Sequence, residues 1–352
     1  MKKLVALCLF ILLMLSCLCG CTGTVLSDKA IAPEDAGLIV HFIDVGQGDS
    51  ALIESDGEFA LIDGGEYNES TKLLSYLSSQ GVEELEFIMS THPHSDHCGG
   101  LAEVIRNFDT KTLICPKTDN DTSAWEYTMD AADERGVSYT NPLPGDKFTV
   151  GSTTITVFAP DSDAVYEDLN DYSIVCKAEY KDTSFLLTGD ASKEVETSLL
   201  DSNFDLSADI LKCGHHGSRT SNSKAFISAV NPSAAIISCG TNNTYGHPHT
   251  ETLNTLEKLN IPVYRTDTDG VIVVSSNGKQ LYVSTEELST QTIGTPPPAT
   301  ESSAYIGNKN SKVFHETYCS SVSKMSDKNK VTFTSRKEAV DSGFSPCGSC
   351  EP

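Results

Sequence analysis

The stretch Thr91-His92-Pro93-His94-Ser95-Asp96-His97-Cys98-Gly99-Gly100 constrains this chain more than any other. Four side chains able to ligate a metal, His92, His94, Asp96 and His97, fall within six residues. They follow the apolar run Leu85 to Met89, which reads as a strand, and precede a helical pattern at Leu101 to Phe108. A loop at a strand end can aim imidazoles at i and i+2 to one side, while the carboxylate and imidazole at i+4 and i+5 wrap round a second ion. Imidazole plus carboxylate suits Zn²⁺, Mn²⁺ or Fe. A solitary histidine is most often a surface or satisfied core residue, but four ligands this close are not explained that way.

The rest of the chain reads as a scaffold for that loop. Strands are expected at Leu38 to Ile43, Ser50 to Ile53, Glu58 to Ile62 and Thr112 to Cys115, with helices at Thr71 to Ser79 and around Ser123 to Arg135. A run of strands fills Lys147 to Leu187. Further strands at Asp209 to Lys212, Ala234 to Ser238 and Val263 to Arg265 alternate with helices at Lys224 to Val230 and Glu251 to Leu259. Strands at Val271 to Ser275 and Gln280 to Ser284 close the body. Meanders interleaved with helices imply an α/β protein with two sheets covered by helices, not one doubly wound sheet.

The two ends differ from this body. Lys2 and Lys3 precede an apolar run from Leu4 to Leu18 and then Cys19-Gly20-Cys21. That pattern resembles a bacterial lipoprotein signal, with residues 1–20 removed and Cys21 lipidated; Cys17 is a rival, and an uncleaved anchor is the alternative. No other run reaches the ~18 apolar residues of a membrane span. The expectation is an exported protein without a transmembrane domain in its mature form. It would be lipid-anchored on the extracellular face of the cell membrane, or secreted if not lipidated. Residues 21–37 read as a tether, 38–285 as the main domain, 286–303 as a Thr/Ser/Pro linker containing Pro296-Pro297-Pro298, and 304–352 as a small module.

Of twelve cysteines, Cys98, Cys115, Cys176, Cys213 and Cys239 stand singly in the body and read as buried hydrophobes. The last three belong to a pattern, His315-x3-Cys319 followed by Cys347-x2-Cys350. This reads as one structural zinc held by His315, Cys319, Cys347 and Cys350. A segment of 49 residues has little core, and zinc contributes ~10 to 16 kcal/mol to folding in small peptides. A disulfide between two of the three cysteines is the alternative.

The main motif matches the His-x-His-x-Asp-His signature of the metallo-β-lactamase superfamily. More closely, the chain resembles the hydrolase domain of the DNA-uptake protein ComEC and its exported stand-alone relatives. The residues carrying that likeness are His41-Phe42-Ile43-Asp44-Val45-Gly46-Gln47-Gly48-Asp49-Ser50, Leu61-Ile62-Asp63-Gly64-Gly65, Leu186-Leu187-Thr188-Gly189-Asp190, Gly214-His215-His216-Gly217-Ser218 and Tyr245-Gly246-His247-Pro248-His249. The resemblance implies an αββα sandwich, the metallo-β-lactamase fold, with two divalent metals, Zn or Mn, at one edge. His92 and His94 would bind one metal, Asp96 and His97 the other, and Asp190 both. No histidine lies between 98 and 214 to complete the first site. His215 is expected there, with His216 as the lesser alternative, and His247 in the second site. Adjacent histidines at a strand end should point apart, which leaves His216 near the leaving group or behind a ligand. Asp63 would orient the loop; Asp44 and Asp49 would do likewise or stabilise turns. His41 is given no chemistry, and His249 is read as a helix-cap residue. The tail resembles the zinc-binding module of the Ada DNA-repair protein, with His315 where repair members carry the methyl-accepting cysteine, so methyl transfer is not expected.

Charge bears on the substrate. With 25 Lys plus Arg against 49 Asp plus Glu, the net charge is −24, which excludes a nucleic-acid protein relying on a broad basic face. Two shared cations would acidify a bridging water and hold anionic oxygens, so attraction can be local. The expected activity is hydrolysis of a phosphodiester, with extracellular DNA as the expected substrate. Asp96, Asp190, Asp63 and His216 would be the catalytic residues, and His216, Ser218 or water would protonate the leaving oxygen. Rival expectations are a hydrolase of cell-surface phosphoesters of teichoic-acid type or of other esters, and a non-catalytic surface binding lipoprotein. The tail, nearly balanced in charge, is a further candidate for nucleic-acid contact.

Overall fold

The computed structural model describes residues 25–26, 35–118, 122–161, 165–286, 305–317, 319–334 and 336–347. The expected leader with Cys21, most of the tether, the Pro-rich linker and Cys350 lie outside the described residues. Two sheets form the body. The first runs, edge to edge, Val25–Leu26, Gln280–Glu286, Val271–Ser276, Leu38–Phe42, Ala51–Ser55, Glu58–Ile62, Phe87–Met89, Thr112–Ile114, Ser138–Thr140. The second runs Lys147–Val150, Thr153–Ala159, Val175–Tyr180, Thr183–Leu187, Ile210–Lys212, Ala234–Ile237, Val263–Arg265.

Alternation along each strand divides the apolar residues between layers, because successive side chains leave on opposite faces. Ala60 and Ile62 enter the core shared by both sheets, whereas Leu61 packs beneath Ser70–Ser79, Leu101–Asn107 and Ser123–Arg135. Ile210 and Ile236 enter the shared core, while Leu211 and Ile237 meet Lys193–Leu200, Lys224–Val230 and Thr250–Lys258. The order of layers is therefore helix, sheet, sheet, helix, the αββα sandwich expected. Burial on both faces accounts for the near-continuous apolar strands.

The helix Lys193–Leu200 was not expected from the sequence, although its signals are present. Ser192 Oγ accepts from Glu194 N at 3.1 Å, and Val195 and Leu199 lie four apart on its buried face. The five scattered cysteines are free and buried, and burial pushes the Cys176 and Cys213 thiols up to about 12.

Apart from the edge strand Val25–Leu26, which runs parallel to Gln280–Glu286, each sheet is antiparallel on one side and parallel on the other. Glu58–Ile62, Phe87–Met89 and Thr112–Ile114 are mutually parallel, as are Thr183–Leu187, Ile210–Lys212 and Ala234–Ile237. Loops leaving the carboxyl ends of such strands are the common place for ligand sites in α/β folds. The metal motif follows Met89, Asp190 follows Leu187, and His215 follows Lys212.

The C-terminal residues make their own four-stranded sheet, ordered Lys330–Phe333, Tyr305–Asn308, Val313–Glu316, Ser345–Pro346. Phe314, Phe333, Ala339 and Phe344 form its small core. Among the described residues, no helix is long and apolar enough to cross a membrane.

Candidate metal centre

Asp63 anchors the histidine loop. It sits just past Glu58–Ile62 with φ 59°, and its carboxylate accepts from Thr91 N at 2.7 Å, from Thr91 Oγ1 at 2.7 Å and from His97 Nδ1 at 2.8 Å. Both oxygens are thus committed to the loop. His97 lies in the single turn Ser95–Cys98, fully buried, with Nε2 directed to the carboxylates opposite. His92 Nε2 stands 3.0 Å from His94 Nδ1.

The second sheet supplies the facing half. Asp190 N donates to Ser173 Oγ at 3.0 Å, and the Asp190 carboxylate is 2% exposed. Its Oδ1 lies 3.3 Å from His97 Nε2. Its Oδ2 lies 3.4 Å from His216 Nε2, 3.7 Å from His215 Nε2 and 4.0 Å from His92 Nε2. Asp96 Oδ2 is 3.1 Å from His216 Nε2, and Asp96 Oδ1 is 4.0 Å from His97 Nε2.

The expectation that His215 and His216 point apart is corrected here. They are not in a strand but in the short turn His215–Gly217, with φ of 51° and 52°, and both rings face Asp190. Strand alternation therefore does not apply to them. A left-handed backbone at two non-glycine residues is strained, a cost commonly found at functional sites. His215 is partly exposed and held through Nδ1 by Thr220 Oγ1 at 3.1 Å, whereas His216 is buried and donates from Nδ1 to Ser238 O at 3.0 Å. His247 lies beside both, its ring centroid 5.4 Å from His215 and 5.9 Å from His216.

Charge is concentrated here. Burial opposes it, yet Asp190, Asp63 and Asp96 hold His97 well above the ordinary imidazole range; Asp190 and Asp49 do the same for His216. Conversely, despite burial, His216 and His97 hold Asp190 well below the usual carboxylate range. Burial and then His216 bring His247 down to about 4. Carboxylates so placed demand positive charge, which protons supply in the metal-free chain.

The donor set fits divalent cations. Asp49, His97, Asp190 and His216 are all buried and offer atoms within 4.8 Å of one another. His97 Nε2 and Asp190 Oδ1 make no hydrogen bond with any described residue. Unpartnered buried polar atoms cost about 1–3 kcal/mol each, so a cation between them relieves a penalty.

Several nearby residues have structural work. Asp44 accepts from Gly46 N at 3.1 Å and pairs with Lys72 at 2.7 Å, which makes it a turn residue. His41 Nδ1 meets Tyr76 Oη at 2.9 Å, away from the centre. His249 precedes the helix Thr250–Lys258, and its Nδ1 accepts from Arg219 N at 3.2 Å. Ser218 Oγ is buried and bonded to Thr220 Oγ1 at 2.9 Å. Asp49 is brought in by its loop: Asp49 N donates to Asp96 O at 3.0 Å, and a Cβ on Gly48 would stand 2.3 Å from that same oxygen. Sequence reasoning overlooked Lys212, whose Nζ is 2.7 Å from Asp49 Oδ2. The available signal was a lysine ending the buried run Ile210-Leu211, three residues before the histidine pair.

In the C-terminal sheet, His315, Cys319 and Cys347 are buried with ligand atoms within 4.8 Å of one another, and His315 Nδ1 is 3.4 Å from Cys319 Sγ. Cys319 forms no disulfide among the described residues. Cys350, expected as the fourth ligand, lies outside the described residues.

Several known proteins resemble this chain. Residues 43–241 match the family model described as "Metallo-beta-lactamase superfamily". ComE operon protein 3 of Bacillus subtilis is 32% identical over 251 residues, covering 66% of this chain and 32% of that protein. Recombination protein 2 of Haemophilus influenzae is 30% identical over 243 residues, covering 67% and 28%. The chain thus spans about a third of the length of these curated relatives. Among solved structures, the metallo-beta-lactamase fold protein YhfI from Bacillus subtilis is 14% identical with a TM-score of 0.47, covering 67% of this chain and 99% of that one.

Proposed function

This chain belongs to the metallo-β-lactamase superfamily, and we propose that it is an exported, metal-dependent phosphodiesterase acting on DNA. The observation that carries the reading is the convergence of His92, His97, His215 and His216 on the buried Asp190 carboxylate. In this reading His92, His94 and His215 hold one divalent cation and Asp96, His97 and His216 the other, with Asp190 facing both. His247 stands at the mouth. This assignment departs from the one expected from the sequence, because His216 faces Asp96 as well as Asp190.

Bound there, the cations supply a Lewis acid for phosphoryl oxygen and lower the pKa of water. The chain's own groups do the positioning. Asp63 fixes His97, Thr220 fixes His215, and Ser173 fixes the backbone of Asp190, so each imidazole presents its remaining nitrogen to the centre. Ser218 is occupied with Thr220, and His216 faces the carboxylates, which leaves solvent to protonate the departing oxygen. The name of one relative, a recombination protein, supports a nucleic-acid substrate. The net charge of −24 fits a substrate attracted locally and not by a broad surface.

The proposal extends to the ends of the chain: lipidation at Cys21 after removal of residues 1–20, a main domain over 38–285, and an Ada-like module over 304–352 with one zinc on His315, Cys319, Cys347 and Cys350. The test of activity uses protein lacking residues 1–20, loaded with Zn²⁺ or Mn²⁺, on single- and double-stranded DNA and bis-p-nitrophenyl phosphate. Cleavage that disappears in His94→Ala and Asp190→Ala is expected. No cleavage of any of the three with either metal overturns the reading.

A further inference from the structure

Lys212 is the one lysine or arginine side chain that the described residues bring into contact with this cluster, and neither sequence signature nor ligand chemistry accounts for it. Ile210, two residues before it, faces the core between the sheets, so strand alternation sends Lys212 to that same face. A lysine there is costly unless paired. It is 3% exposed; Nζ sits 2.7 Å from Asp49 Oδ2 and donates to Cys213 O at 2.9 Å. The cavity it borders, also lined by Asp49, Asp63, Thr91 and Ser238, has about 10 Å³, at the lower limit of what one water requires. Solvent therefore cannot replace Asp49 as its partner.

Asp49 in turn does not face the centre freely. Its other oxygen, Oδ1, lies 3.2 Å from His216 Nδ1, the nitrogen that donates to Ser238 O at 3.0 Å. Ser238 O takes that hydrogen bond, and Asp49 Oδ1 stands against the same nitrogen as a negative charge without a hydrogen bond of its own. On the opposite side of the ring, Nε2 looks at Asp96 Oδ2 and Asp190 Oδ2, at 3.1 and 3.4 Å.

We infer that Lys212 and Asp49 form a buried positioning pair, which keeps a proton on His216 Nδ1 and so presents Nε2 to Asp96 and Asp190 as the nitrogen that gives up its proton when a cation binds. The inference deepens the metal-centre reading and rests on it. Asp49 falls within ligand distance of His97, Asp190 and His216, yet its engagement with Lys212 assigns it to orientation instead of coordination. Lys212 is a positioning residue, acting through Asp49.

The test begins with the unaltered chain. Ring-nitrogen NMR of the zinc-loaded protein should show His216 protonated on Nδ1; protonation on Nε2 overturns the inference. Zinc titration by calorimetry then compares Lys212→Met, Asp49→Asn and the double variant. Each should bind zinc about 10- to 100-fold more weakly, the usual cost of removing an orienting partner. The double variant should lose little beyond Asp49→Asn alone, because the lysine works through the carboxylate. Lys212→Arg should recover part of the loss. Wild-type affinity in the double variant, which removes both charges and so avoids stranding either one, overturns the pair. Failure of the unaltered chain to bind zinc would instead sink the metal-centre reading itself.

Discussion

Asp63 Oδ2 and Asp190 Oδ1 grip His97 from opposite sides of its ring, at 2.8 Å from Nδ1 and 3.3 Å from Nε2. One carboxylate sets the ring's direction and the other is what the ring is directed at. Asp63→Asn keeps the shape but removes the charge-assisted acceptor. Metal affinity should fall about 10- to 100-fold, with the fold retained by circular dichroism. Unchanged zinc binding in Asp63→Asn would show that His97 does not depend on it.

The electrostatics of the metal-free chain predict a pH signature. His97 and His216 titrate well above the ordinary value of about 6.5, so their contribution to stability is complete below that pH and is lost as pH rises through their elevated values. Asp190 titrates below the ordinary value of about 3.9, so its contribution is present above that pH and is lost as pH falls through its depressed value. Denaturant melts of the metal-free protein should therefore weaken toward both alkaline and strongly acid pH. Zinc binding near neutrality should release about two protons per chain, seen as a buffer-dependent heat in calorimetry. Release of none would contradict protonated His97 and His216.

Arg219 offers a way to separate a polymeric substrate from a small one. It is exposed, follows the histidine turn by two residues, and its guanidinium has no ion-pair partner among the described residues. Lys193 Nζ lies close by, donating to Arg219 O at 2.6 Å. Arg219→Ala should raise KM for DNA several-fold, leave bis-p-nitrophenyl phosphate kinetics nearly unchanged, and reduce the salt slope of DNA binding by about one. Equal effects on both substrates would remove Arg219 from phosphate recognition along a strand.

The tail can be tested through metal content. Cys319→Ser should lower bound zinc by one ion per chain and loosen the sheet around Phe314 and Phe333, while hydrolysis of bis-p-nitrophenyl phosphate persists. Amide exchange of residues 305–347 is the measurement. Full protection without zinc would show that Phe314, Phe333 and Phe344 suffice to hold the sheet.

Much of this was legible in the residues. The order of strands and helices followed from alternation and helical spacing, and the clustered ligands announced a metal site. What the sequence hid was conformation and depth. The left-handed backbone of His215 and His216 cannot be seen in two adjacent letters, so the convergence of both rings on Asp190 was missed. Lys212 looked like the polar end of a strand, because nothing local tells that Asp49, far away in the chain, closes over it. The helix Lys193–Leu200 escaped for a smaller reason: only Val195, Leu199 and Leu200 are apolar there, and the Ser192 cap carries much of its signal.

The centre draws its groups from both sheets. Asp63 and the histidine loop leave the first, while Asp190, His215 and His216 leave the second. An ion seated at Asp190 would therefore act as a rivet through the sandwich, joining two halves that otherwise meet through packed side chains and a few backbone hydrogen bonds such as Ile174 N to Thr91 O. Losing it loosens the architecture at the place where catalysis needs rigidity, so mechanical integrity and chemical competence are tied to the same few atoms.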